Sequence, residues 1–362
     1  MIRNIAISNF RSLNDLRMND AGRITLISGR NNVGKSTLLE ALFLFMDHSA
    51  PDSFMKINGF RGQNVINPSS IWEPLFNKLD TDKSIKISIS YDNNHDSILT
   101  YSKDNDYLPY KADGLSEDLL AQFRTATKSS YSLLFNFQDT ISTSKKSSFY
   151  YSEKGHFSLN GASVLREIKT NQPGNEIRLM MPTQFINSTL IRMPDNVLNG
   201  IGKLELSGKK NSIISVLQEL DPSIEDILTL SLDGLIQLYI RVNGQLIPLQ
   251  YAGDGVMKLL GICLGILERK NGLLLIDELE TGFHYSMYGK LWKVIDRISA
   301  ESNCQIIAST HSYELILSAC EYIDNPQDFV YYRMGRANHE TTLYRYDHSS
   351  LNEAIKAEME VR

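Results

Sequence analysis

Nine residues at 29–37, GRNNVGKST, constrain this chain more than any other segment. They fit the pattern GxxxxGK[ST] at Gly29, Gly34, Lys35 and Ser36. Glycines, lacking a Cβ, let backbone N–H groups turn inward around an anion. Lys35 adds a point charge for the β/γ oxygens of a triphosphate, and the Ser36 hydroxyl is a Mg²⁺ ligand. Asn31, Asn32 and Thr37 complete the candidate nucleotide contacts of this loop. Before it, Arg23–Ser28 (RITLIS) reads as a buried strand; after it, Lys35 to about Met46 reads as a strongly apolar helix. Strand, glycine loop and helix in that order open an α/β sheet, with the positive helix end aimed at the loop.

Two further segments suit the same chemistry. Residues 273–278, LLLIDE, are four apolar residues followed by two acids, as expected of a buried parallel strand with its functional groups at the carboxyl end. Asp277 is placed to hold Mg²⁺ and Glu278 to orient and deprotonate an attacking water. Alone, the pattern also fits a strand ending in a solvated acidic turn; the loop upstream favours the functional reading. Residues 306–312, IIASTHS, form another buried strand ending in His311, which can hydrogen-bond a γ-phosphate or serve structure alone. The segment 251–255, YAGDG, opens a helix at 254–269. Gly253 and Gly255 allow close approach to an anion; equally, this is a hairpin-to-helix loop with Asp254 as N-cap.

The remaining pattern extends the alternation of strands and helices, which implies a parallel sheet with right-handed crossovers. A strand is expected at 2–8 and another at 177–186, a helical stretch at 195–220, and a hairpin through Asn243-Gly244. From 48 to 175 the pattern loosens into polar loops and short strands, with a hairpin at Tyr150–Ser163 turning near Lys154-Gly155. The expected organisation is an ATPase core of 1–47 and 176–362, with a helical insert at about 190–225, and an irregular α+β insertion at 48–175.

Net charge is −5 and the pI about 5.9, so no global positive field draws the chain to nucleic acid. The one basic cluster, Lys203, Lys209 and Lys210, fits a solvated helix face better than a DNA contact. Cys263, Cys304 and Cys320 form no CxxC pair, which suits a reducing compartment. The N-terminus lacks a signal-peptide core, and the apolar run Leu38 to Met46 is about half a membrane span. A cytoplasmic protein without membrane contact is expected.

Together, NFRSL (9–13), the phosphate loop, LDPSIEDI (220–227), YAGDGVMKLL (251–260), LLLIDELETGFHYSMYGKLWKVI (273–295) and ASTHS (308–312) resemble the AAA-15/AAA-21 group of small ABC-type ATPases. That group is related to the ATPase part of OLD-family nucleases and, more distantly, to SMC-like repair ATPases. The resemblance covers about 1–320 in blocks and is weak across 48–175. It implies a P-loop NTPase of the ABC-ATPase head type: a mixed sheet with flanking helices and an inserted α+β/helical region. It also implies ATP and Mg²⁺ as cofactors and a head-to-tail homodimer or higher assembly. Each nucleotide would be capped by Gly253 and Gly255 of the other copy. By the same analogy Thr281 to His284 is the D-loop, Gln184 a metal-side Q-loop residue, and Arg11 a phosphate contact. Ala252 and Asp254 depart from the general LSGGQ signature, and a carboxylate near a triphosphate is repulsive unless it caps the helix or pairs with a cation. About fifty residues follow His311, too few for a Toprim domain, so no nuclease activity is expected of this chain.

The resemblance favours an ATP-gated switch controlling a separately encoded effector, as in bacterial anti-phage defence. The alternatives are a DNA-transaction ATPase and a transporter subunit. The NFRSL entry, the unusual signature and the large insert argue against the transporter.

Overall fold

The computed structural model describes residues 1–48, 50, 53–62, 73–92, 94–104, 132–142, 148–157, 167–170, 181–187, 194–208, 210–232, 235–337 and 340–362. Two compact units share them: Met1–Asp20, Glu40–Arg178 and Arg336–Thr342 form the first, and the remainder the second.

In the first unit a seven-stranded sheet runs in the order β2-β1-β4-β5-β6-β7-β8. Its strands are β1 (Ile2–Phe10), β2 (Leu13–Met18), β4 (Ile85–Tyr91), β5 (His95–Asp104), β6 (Ser132–Ser142), β7 (Ser148–Phe157) and β8 (Glu167–Thr170). All the pairings are antiparallel. Ile5, Ile7, Ile85, Ile87, Ile89, Leu99, Phe135 and Phe137 alternate along their strands and are buried. This unit corrects two sequence expectations. Within 85–170 the described residues form the long strands β4 to β7 and the short β8 of one sheet, where short strands were expected, and that sheet holds residues 1–20 by pairing β1 with β4. Lys154-Gly155 is no turn: both residues lie inside β7, opposite Asn136 and Phe135. Residues 158–163, the far side of that expected hairpin, lie outside the described residues.

The second unit is built on a six-stranded sheet of order β16-β15-β3-β14-β13-β9. Its strands are β3 (Ile24–Ser28), β9 (Thr183–Ile186), β13 (Leu273–Ile276), β14 (Gln305–Ser309), β15 (Phe329–Ala337) and β16 (Glu340–Asp347). ITLIS, LLLI and QIIAS are buried at every position, as strands covered on both faces require. β15, β3, β14, β13 and β9 run parallel, so the carboxyl ends of β3, β14, β13 and β9 share one edge. Helices α3 (Pro194–Leu206), α4 (Lys210–Leu220), α5 (Asp254–Glu268), α6 (Tyr288–Ser302), α7 (Tyr313–Tyr322) and α8 (His348–Lys356) supply apolar faces to the same core, which includes Ile201, Leu217, Ile262, Trp292, Ile316 and Leu351. The expected helical stretch at 195–220 is thus two helices, broken at Ser207-Gly208, where Gly208 takes φ +68°. A three-stranded antiparallel sheet, β10 (Ile224–Leu232), β11 (Leu235–Val242) and β12 (Gln245–Pro248), adds Ile227 and Ile240. Asn243 and Gly244, both at positive φ, make its two-residue turn as read from sequence.

Helix α1 (Lys35–Met46) begins in the second unit and ends in the first, where α2 (Ser53–Gly59) also lies. No helix among the described residues is long and apolar enough to cross a membrane.

Candidate active site

The phosphate loop leaves the end of β3. Gly29 takes φ +141°, and a Cβ there would lie 2.1 Å from the Met334 carbonyl oxygen, so only glycine fits. Gly34 (φ +111°) and Asn32 (φ +62°) complete the turn, and α1 starts with Leu38 N–H donating to Gly34 at 2.9 Å. Asn31 and Asn32 are exposed, Ser36 is half-buried and Thr37 is buried. Lys35 is buried, and its ammonium donates to the carbonyls of Gly29 (2.6 Å) and Arg30 (3.0 Å) and lies 3.4 Å from His311 Nδ1. Burial pushes Lys35 down to about 8, while the charges of Asp277, Glu280 and Glu278 hold it up. The predicted cation and the predicted acids are therefore neighbours.

The adjoining strand tips are cross-braced. Asp277 N–H donates to the Ile186 carbonyl at 2.8 Å, and the Ser309 hydroxyl donates to Asp277 Oδ1. The same Ser309 oxygen accepts Glu278 N–H at 2.9 Å. Glu278 stands in the left-handed region at φ +51°, a conformation a non-glycine residue keeps only when its surroundings over-determine it. Thr281 Oγ1 donates to its carboxylate at 3.2 Å. His311 N–H donates to Glu280 Oε1 at 2.7 Å, and Glu280 Oε2 is buried with no partner among the described residues. Ser36, Asp277 and this orphaned oxygen are hard donors of the kind Mg²⁺ prefers. Because that ion keeps waters and phosphate oxygens in its shell, one or two protein ligands suffice. Among the described residues no cluster of three or more His, Cys, Asp and Glu offers an all-protein metal cage.

Three expected contacts fall differently. Gln184, on the edge strand β9, pairs with Leu274 short of the strand tip, and its Oε1 lies 3.3 Å from where a Gly265 Cβ would be. It therefore sits about 10 Å, three strand residues, behind the tip. The position level with Asp277 is the buried Asn187. Arg11 is committed elsewhere: Nη1 donates to Glu40 Oε2 at 2.5 Å and Nη2 to Asn58 Oδ1 at 3.2 Å, with the Arg11 and Glu40 side chains 8% and 3% exposed. Burial lowers its pKa and Glu40 opposes that. In the 251–255 segment, Gly253 (φ +94°) is the N-cap of α5, and Asp254, the first helical residue, does not cap it. A Cβ at Gly253 would meet no atom within 4 Å, so this glycine is open as expected. A Cβ at Gly255 would lie 2.5 Å from the Gly282 carbonyl oxygen, so Gly255 serves close packing within its own chain.

Ser309, Glu280, Asn187 and Lys258 join this region without having been singled out in the sequence. Lys258 carried a signal: it is the sole charge in the run 255–267. Of the basic cluster, Lys203 pairs with Glu268 (3.0 Å) and Lys210 with Glu205 (3.1 Å) and Asp226 (3.2 Å), while Lys209 lies outside the described residues.

A glycine cradle after one buried strand, with acids at the tip of a second strand and a histidine beyond a third, defines a P-loop ATPase with the ABC head fold. The AAA ATPase domain model AAA_15 matches residues 1–316, and the chain belongs to that family. It is similar to the ATP/GTP phosphatase of Helicobacter pylori, 23% identical over 356 residues, 95% of this chain and 92% of that one. Over 113 residues it is 34% identical to protein MJECL10 of Methanocaldococcus jannaschii, covering 29% of this chain and 48% of the other. A crystal structure of an SMC head bound to the C-terminal winged-helix domain of ScpA shares the fold at TM-score 0.53 and 13% identity, covering 98% of this chain and 99% of that one.

Proposed function

We propose that this ATPase is a nucleotide-gated switch in which two copies close head to tail over Mg–ATP. Backbone N–H groups of 29–34 and the Lys35 ammonium hold the phosphates. Ser36 and Asp277 would hold Mg²⁺, which when bound would offset the negative charge that develops on the phosphates. Glu278 takes a proton from the attacking water, and His311, in contact with Lys35, hydrogen-bonds the γ-phosphate.

The observation that carries the dimeric reading is the 251–255 segment. Its Gly253 is open at the head of α5, and Tyr251, two residues earlier, is 73% exposed. Tyr285, next to His284, is 66% exposed as well, and exposed aromatic side chains are enriched where proteins meet. Control of a separately encoded effector in bacterial anti-phage defence rests on the family resemblance. The acidic net charge and the paired Lys203 and Lys210 support this reading over DNA binding.

The test is particle mass by light scattering for Glu278→Gln with and without Mg–ATP. Doubling with ATP and reversal with ADP is the expected result; one unchanged mass in all three states overturns the dimeric switch.

A further inference from the structure

We propose that Lys258 is a positioning residue for hydrolysis: carried on α5, it pins the peptide carbonyl of Glu278 and so holds the turn that presents the water-activating carboxylate. The inference rests on Glu278 being that base.

Lys258 is 1% exposed on an otherwise apolar helix face, an environment that penalises a charge without compensation. Burial pushes it down to about 8, against which Glu280, Glu278 and Asp277 hold it up. Its ammonium donates to the Glu278 main-chain carbonyl rather than to one of those carboxylates. Thr281 N–H donates to the same carbonyl at 3.0 Å. On the other side of the residue, Glu278 N–H goes to Ser309 Oγ at 2.9 Å, and Leu279 N–H, in the same peptide as the Glu278 carbonyl, goes to the Ser309 carbonyl at 2.9 Å. The left-handed Glu278 is thus clamped by β14 through the N–H groups of residues 278 and 279 and by α5 through its carbonyl. The clamp has a second point, because Gly255, in the first turn of α5, packs against the Gly282 carbonyl. A shift of the first turn of α5, which begins at the open Gly253, reaches the hydrolytic carboxylate through these two contacts.

Lys258→Met keeps the apolar stem and removes the ammonium; Lys258→Arg keeps a donor. For Met we expect kcat for ATP to fall about 10-fold or more, as for a displaced catalytic group, with Kd for a Mg-bound non-hydrolysable ATP analogue within about twofold of wild type. Arg should recover most of the rate. If Met does not fold, Lys258→Gln must show the same separation of kcat from Kd. A Met or Gln variant that turns over within about twofold of wild type, or loses affinity in step with rate, overturns the proposal. Glu278→Gln run alongside separates the two claims: an inactive Glu278→Gln beside a fully active Lys258→Met sinks only the role of Lys258, whereas an active Glu278→Gln sinks the base assignment beneath it.

Discussion

Replacing Ser309 by Ala removes one oxygen that holds both acids of the site. In the intact protein its hydroxyl donates to Asp277 Oδ1 and accepts Glu278 N–H at 2.9 Å. The truncation leaves the Glu278 N–H unpaired at a residue already in the left-handed region, a loss of about 1–3 kcal/mol. It also frees the Asp277 carboxylate from its orienting donor, and removing the hydrogen-bond partner of a metal ligand weakens metal affinity or activity about 10- to 100-fold. The expected phenotype is therefore specific. The Mg²⁺ concentration for half-maximal ATPase rate should rise about 10-fold or more, and excess Mg²⁺ should restore part of the rate. Melting should drop by about 2–4 °C per kcal/mol for a unit of this size, so by about 2–12 °C. The assay is steady-state ATP hydrolysis titrated with MgCl₂ at fixed ATP, beside a thermal melt. A variant with wild-type Mg²⁺ dependence and rate would refute the brace, and so would one losing rate with no change in Mg²⁺ dependence.

Lys35→Ala should abolish the heat of Mg–ATP binding in titration calorimetry; unchanged affinity would remove the loop from the account. Because folding lowers the Lys35 pKa from 10.5 to about 8, the ammonium is lost as pH rises through that value, and a bound triphosphate favours its return. ATP binding should therefore take up a proton just above pH 8 and none near pH 6.5, read from binding heats in buffers of different ionisation enthalpy. By the same shift the unfolded chain holds more protons than the folded one between about 8 and 10.5, so this group makes stability rise with pH across that window. Asp296 anchors the start of β3. It accepts Arg23 Nη2 at 2.6 Å, and its Oδ2 takes Asp324 N–H, Asn325 N–H and Asn325 Nδ2 at 3.0 Å each. Asp296→Ala leaves the buried Arg23 guanidinium with Asp328 (3.0 Å) as its one remaining carboxylate and should cost about 3 kcal/mol, seen as a lower denaturant midpoint; a loss below about 1 kcal/mol would contradict this. Burial pushes the Cys263 and Cys304 thiols up to about 12. Neither should react with iodoacetamide at pH 8 in the folded protein, and fast labelling followed by mass spectrometry would show otherwise.

Legibility in the sequence followed burial. Strands covered on both faces, such as LLLI and QIIAS, are unbroken apolar runs, so their carboxyl ends, and with them Asp277, Glu278 and His311, could be placed from sequence alone. β7 hid itself because its ladder with β6 overrides the local turn tendency of Lys154-Gly155. The bonds of Arg11 are not legible locally because its partners Glu40 and Asn58 lie 29 and 47 residues away. Gln184 required the register of β9 on β13, which a single strand does not encode. The left-handed turn at Glu278 follows from Ser309 and Lys258 meeting it from two other elements, and no local pattern announces such a convergence.

The decisive measurement compares ATP turnover and Mg–ATP binding in wild type and Glu278→Gln under the same conditions. With the carboxylate as base, the amide should bind Mg–ATP as tightly as wild type while turnover falls on the order of 100-fold or more. Hydrolysis near the wild-type rate would mean that the acids gathered at this sheet edge do not perform the chemistry.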